Sequence, residues 1–273
     1  MVGVARIKMH CIDFFLSQGI QIAAWQAREN MKRTSIPEPI KRTVRQECGF
    51  GCVLCGCPIY DYDHIEEYSR VKTHEADNLA LLCTEHHRQK TNKCLPVSRV
   101  IDARKEPFNL KHGKTTRNNI IAFERFTKTA KIKFGTNYCT YDFSHGNSLS
   151  ALCIDNNHLV QFKSIDGEFF INIKAYDANN KEILSIMNNE LCHSTDLFDI
   201  KFEGTILTVK ETKQRTILSV NFDTSGTIEI LKMDMKYNNH SVYIDKNILL
   251  INKYGCSISR STFENCPIAI AIG

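Results

Sequence analysis

The chain has 273 residues, 42% of them apolar and 24% charged, a composition that excludes a disordered chain and describes a globular protein with enough apolar side chains for a core. Its length fits one small module joined to a larger domain. The net charge is only +5, and no run of 18 apolar residues occurs, so neither a uniformly basic protein nor a continuous apolar membrane span is expected.

In chain order, residues 1–30 read as an N-terminal extension. Arg6 and Lys8 precede "CIDFFLSQGIQIAAWQA", a loose imitation of an export signal, but Asp13, Gln18 and Gln21 interrupt its apolar part. A cytoplasmic location is expected, and the natural start is either Met1 or Met31, which opens the module that follows. Residues 31–96 form the small module. Pro37 and Pro39 open a helix in "PIKRTVRQEC", where Ile40 and Val44 share a face. "GFGCVLCG" is a glycine-punctuated turn that lets backbone amides face sulfur ligands. "PIYDYDHI" alternates aromatic or branched residues with carboxylates, as a short strand does. "EEYSRVKTHEAD" reads as a polar loop with His74 solvated, and "NLALL" as a second strand. "TEHHRQKTNK" has helical composition, with Thr84 as N-cap and Pro96 as the stop.

Residues 97–133 form a basic connecting region whose secondary structure the pattern does not resolve. From 134 to 273, runs such as "EFFINIKAYD", "TILSVNFD" and "TIEILKMDM" alternate with turns such as Asp166-Gly167 and Ser225-Gly226, which predicts a meander of antiparallel strands forming a sandwich or curled sheet. The predicted fold class is α+β: a small strand–strand–helix module with a structural zinc, followed by a larger, mostly antiparallel all-β domain.

Charge is unevenly placed. Between Glu85 and Lys133 there are thirteen Lys/Arg against four acids, a local +9, so the rest of the chain carries −4. That places a polyanion beside the histidine pair His86-His87.

Twelve cysteines in a small secreted domain would mean disulfides, but here Cys48, Cys52, Cys55, Cys57 and Cys83 crowd one region and the rest are single. The cluster reads as metal ligation and the singles as small buried apolar residues. Cys52-x2-Cys55 and Cys83-x2-His86 provide two chelating pairs for one tetrahedral Zn²⁺. Cys48-x3-Cys52 and Cys55-x-Cys57 are alternative chelates, less favoured because the two-residue separator makes the better-attested turn; Cys57 is taken as a bystander. Such a zinc contributes on the order of 10–16 kcal/mol of apparent binding free energy, enough to fold a module with little core.

With His86 given to zinc, Asp63-His64, Asn78 and His87 remain in that order. Residues 36–96 resemble the HNH endonuclease family, whose ββα-metal module has the order C-x2-C, D-H, N, C-x2-C-H. Cys52, Cys55, Asp63, His64, Asn78, Cys83, His87 and Lys90 match as they stand. His86 departs from the family's usual fourth cysteine, and a Cys₃His set still suits zinc. The resemblance implies metal-dependent hydrolysis of DNA phosphodiesters, with RNA not excluded. His64 would be the general base, and Asp63 with His87 would hold a catalytic Mg²⁺ or Mn²⁺. Asn78 would bond backbone across the loop and hold His64 in one rotamer, while Arg88, Lys90 and Lys93 are suited by charge to phosphate. Two other expectations compete with this one. The module could be a non-catalytic, zinc-stapled nucleic-acid binder, or the β domain could serve as the surface for a regulatory protein partner. Without a visible sequence-reading helix, low specificity is expected, and a phage-defence or mobile-element setting fits it.

Overall fold

The computed structural model describes residues 35–124, 128–252 and 255–273, so the N-terminal extension and Met31 lie outside the described residues. Helix α1 (Glu38–Glu47) begins behind Pro37 and carries Pro39 in its first turn, where a missing N–H leaves no bond unmade. It turns Val44 and Arg45 inward. Past it, Gly49 and Phe50 both take positive φ, at 67° and 57°, and fold the chain into the cysteine turn.

Strands β1 (Asp61–His64) and β2 (Leu79–Leu82) pair antiparallel, with Asp63 opposite Ala80 and His64 opposite Leu79. All four residues of β2 are buried, because α1 and Val100 pack around it; hence its unbroken apolar run rather than an alternating one. The segment between the strands, expected as plain loop, holds a single helical turn, α2 (Tyr68–Val71), and a 3-10 turn at Ala76–Asn78. Helix α3 (Thr84–Thr91) follows β2 directly. Thr84 is its first residue rather than its N-cap: Cys83 holds the cap position without a side-chain bond, its sulfur being turned to the other cysteines. The unresolved basic stretch contains α4 (Val97–Lys105), α5 (Phe108–His112) and the two-residue strand β3 (Asn118–Asn119).

The rest is β structure. A hairpin, β4 (Thr129–Phe134) and β5 (Asn137–Asp142), precedes the first meander: β6 (Ser148–Ile154), β7 (Asn157–Ile165), β8 (Glu168–Tyr176), β9 (Glu182–Met187) and β10 (Glu190–His193). The second meander is β11 (Asp199–Glu203), β12 (Ile206–Lys210), β13 (Thr216–Asp223), β14 (Thr227–Tyr237), β15 (His240–Ile244), β16 (Leu249–Ile251) and β17 (Cys256–Ile258). Two short strands close the domain, β18 (Thr262–Glu264) and β19 (Ala271–Ile272).

Among the described residues these make two sheets. One runs β19-β6-β7-β8-β9-β10-β3, and the other runs β11 to β17 in order with β4, β5 and β18 attached. Three pairings are parallel, β4 with β14, β5 with β18 and β6 with β19. Each joins strands far apart in sequence, as parallel pairing requires, whereas the meanders are hairpin-linked and antiparallel. Side chains of both sheets, among them Phe162, Ile171, Leu218 and Ile230, share one apolar core.

The small module docks on this domain through a buried ion pair. Arg45 of α1 donates from Nε and Nη2 to the two carboxylate oxygens of Asp199 on β11, each at 2.8 Å. Arg45 also donates to Tyr62 Oη and Glu38, at 2.7 Å each. Burial works against its charge, but these hydrogen bonds outweigh that cost and hold the guanidinium protonated. Gln46 bonds Phe198 O at 2.7 Å, and Phe50 is buried in the β-domain core. Among the described residues, no helix is long and apolar enough to cross a membrane.

Removing Asp199 leaves the buried Arg45 with the half-exposed Glu38 as its acidic partner and two of its hydrogen bonds unmade. Asp199→Ala is therefore expected to cost about 3–5 kcal/mol in guanidinium denaturation, and an Arg45→Met/Asp199→Leu double variant to recover most of it. A second prediction concerns His193, which ends β10 and exchanges backbone and side-chain hydrogen bonds with Thr115. Burial pushes its pKa down to about 4. Between the ordinary value near 6.5 and about 4, the unfolded chain binds a proton that the folded chain refuses, so stability should fall as pH falls through that window. His193→Gln should flatten that part of a stability-versus-pH curve.

Candidate metal centre and active-site groove

The cysteine turn and the start of α3 bring four donors together. Cys52 Sγ and Cys83 Sγ each lie 3.3 Å from His86 Nδ1, and Cys55 Sγ lies 3.8 Å from Cys83 Sγ; all four ligand atoms fall within 4.8 Å of one another. A tetrahedral ion with Zn–S near 2.3 Å and Zn–N near 2.0–2.1 Å demands ligand edges of about 3.5–3.8 Å. The Cys₃His set fits zinc in both donor chemistry and size.

Gly56, at φ +75°, turns the chain immediately after Cys55, and a Cβ there would fall 2.3 Å from Asn109 Oδ1. The backbone N–H groups of Leu54 and Cys55 face Cys52 sulfur, as the glycine-bounded turn predicts. The neighbouring Cys55 side chain lowers the Cys52 thiol most, with these N–H groups adding to the effect, while the Cys55 thiol itself is raised. Cys48 and Cys57 are outside the group. Burial pushes the Cys48 thiol up to about 11 and raises that of Cys57, so both remain protonated bystanders.

Beside this cluster, β1 and α3 wall a groove. Asp63 Oδ1 lies 3.3 Å from His87 Nε2, joining strand to helix. Lys90, one turn further along α3, points inward: its Nζ donates to His64 O at 2.6 Å and sits 2.7 Å from Asp63 Oδ2. That second contact is electrostatic rather than a directed hydrogen bond, since Oδ2 is buried and accepts none in good geometry. A buried carboxylate with an unfilled lone pair, next to an imidazole nitrogen, suits a divalent cation.

Asn78 closes the inter-strand segment. Its Oδ1 accepts from Glu66 N at 2.8 Å and its Nδ2 donates to Glu66 O at 3.1 Å, while Ile65 N donates to Asn78 O. Both ends of that segment are thereby tied immediately beyond His64. His64 Nε2 lies 3.1 Å from His74 Nδ1. The solvated role expected for His74 is thus corrected: the short helix α2 shortens the path and carries residue 74 back over the strand.

The expected phosphate contacts separate. Lys93 lines the groove, whereas Arg88 is exposed on the helix and held by Glu85 at 2.7 Å. Lys90 is spent on Asp63. The +9 stretch is also less free than its count implies, because Arg104, Lys105, Lys111 and Lys133 each pair with an acid. Lys41 and Arg70 line the groove instead. Neither could be found from charge density, since they stand apart in the sequence and only the fold brings them to the groove.

This constellation, a four-donor cluster beneath an Asp-His strand and a second histidine on the helix, was compared with known proteins. Residues 52–93 match the HNH endonuclease family model. No curated protein and no solved structure matches the chain. The match spans both halves of the four-donor cluster and runs from the cysteine turn past α3, covering the strand pair and the helix but no strand of the β domain.

The cluster leads to a direct test. Elemental analysis of purified protein should find one tightly bound zinc per chain. His86→Ala should lose it and the far-ultraviolet signature of the module, while His87→Ala should keep both.

Proposed function

We propose that the HNH module is a metal-dependent nuclease hydrolysing phosphodiester bonds of DNA. The observation that carries this reading is the 3.3 Å approach of Asp63 Oδ1 to His87 Nε2 beside His64, on elements stapled together by the Cys₃His cluster. Asp63 and His87 would hold a divalent ion, Mg²⁺ or Mn²⁺, which when bound stabilises charge on the phosphate and the leaving oxygen. His64 serves as the base that takes a proton from the attacking water, imidazole being suited to that near neutral pH. Lys90 holds Asp63 in place through Oδ2, leaving Oδ1 toward His87. Asn78 anchors the backbone after His64 so that the ring keeps its place. Lys41, Arg70 and Lys93 along the groove supply charge for the polyanion, whatever its sequence.

A binding module without catalysis would use the same groove and charges but has no need of a histidine base. Plasmid digestion separates the two readings. With Mg²⁺ or Mn²⁺ the wild type should nick or cut, and His64→Ala should lose roughly 10²–10⁴-fold in rate while keeping its zinc and its salt-sensitive DNA binding. Binding with no cleavage in any divalent metal would instead support the non-catalytic reading.

A further inference from the structure

The segment that joins β1 to β2 presents a ring cluster to the general base. His74 Nδ1 lies 3.1 Å from His64 Nε2. Tyr68 stacks on His74, centroids 4.8 Å apart at 16°, and meets His64 edge-on at 5.3 Å and 61°. Lys72, in the left-handed region at φ 51°, ends α2 and turns the chain so that residue 74 comes back toward residue 64.

A neutral imidazole has one bare nitrogen, and only that nitrogen can accept a proton. The bond that the other nitrogen makes decides which one it is. With Nε2 of His64 engaged by His74, proton acceptance falls to Nδ1. If His64 Nε2–H donates to His74 Nδ1, then Nδ1 of His64 carries no hydrogen and can accept one. In the opposite tautomer it carries the proton and the base is blocked.

We propose that His74 is a positioning residue for the general base: its Nδ1 accepts from His64 Nε2–H and so holds His64 in the tautomer whose Nδ1 takes the proton. This rests on reading His64 as that base. Tyr68 supports the arrangement by holding the His74 ring flat against its own. Asn78, by closing the segment at Glu66, sets the distance over which His74 must reach.

Three variants of the full chain separate this role from packing. His74→Asn places an amide oxygen near the position of the ring's Nδ1 and keeps an acceptor. His74→Phe keeps the stack on Tyr68 and removes the acceptor, and His74→Ala removes both. With Mg²⁺ and zinc content matched to wild type, Ala and Phe are expected to lower kcat roughly 10- to 100-fold with KM little changed, and Asn to restore most of the rate. Long-range proton–nitrogen spectra of His64 should show the Nε2–H form in wild type and His74→Asn, and a tautomer mixture in His74→Ala. Equal rates across all variants, an Asn variant no better than Ala, or an unchanged His64 tautomer in His74→Ala would overturn the assignment. A wild type that cuts nothing in any metal defeats the nuclease reading instead, and the spectra still decide the hydrogen bond.

Discussion

Two strands of four residues cannot hold a register by themselves, and everything in the groove depends on that register being held. The Cys₃His cluster supplies the constraint. It ties the turn before β1 to the residue after β2 and to the first turn of α3, so strand, strand and helix are fixed by four atoms within 4.8 Å of one another. A one-residue slip of β1 would send Asp63 to the opposite face, away from α3, and dismantle both contacts that Asp63 makes there.

Divergence between neighbours is what that frame exploits. On β1 successive side chains face opposite ways, so Asp63 is delivered to α3, where His87 and Lys90 meet it, while His64 is delivered to the returning segment with Tyr68 and His74. On α3 successive side chains diverge by about 100°, so His86 reaches the cysteines and His87 reaches the carboxylate. Adjacent pairs on a strand and on a helix are thus each split between two environments. Lys90 stands four residues after His86 and three after His87, so one helical turn brings it between the two, within reach of Asp63.

Much of this was legible in the residues. The four-donor cluster, the strand-strand-helix order and the meandering β domain follow from short-range spacing and alternation, which the chain carries locally. What was not legible depends on long-range return. His74 reads as a loop residue because nothing in "EEYSRVKTHEAD" announces a helical turn that shortens the path. Lys90 reads as a surface charge because its partner, Asp63, is 27 residues earlier on another element. The basic stretch reads as a continuous patch because its acidic partners include Glu47 and Glu229, far outside it. Composition counts charges but cannot say which are already neutralised.

The attachment of the β domain follows from a choice of chemistry at α1. An apolar contact between α1 and β11 would tolerate sliding, whereas the paired bonds of Arg45 to both oxygens of Asp199 fix distance and direction together. The same guanidinium bonds Tyr62, the residue before Asp63. Tyr62 faces α1 just as Asp63 faces α3, so β1 is gripped on one side from the β domain and on the other from the helix that carries His86 of the four-donor cluster. Arg45 thus links the β domain to β1, and the strand that carries Asp63 is braced by a contact spanning 154 residues of sequence.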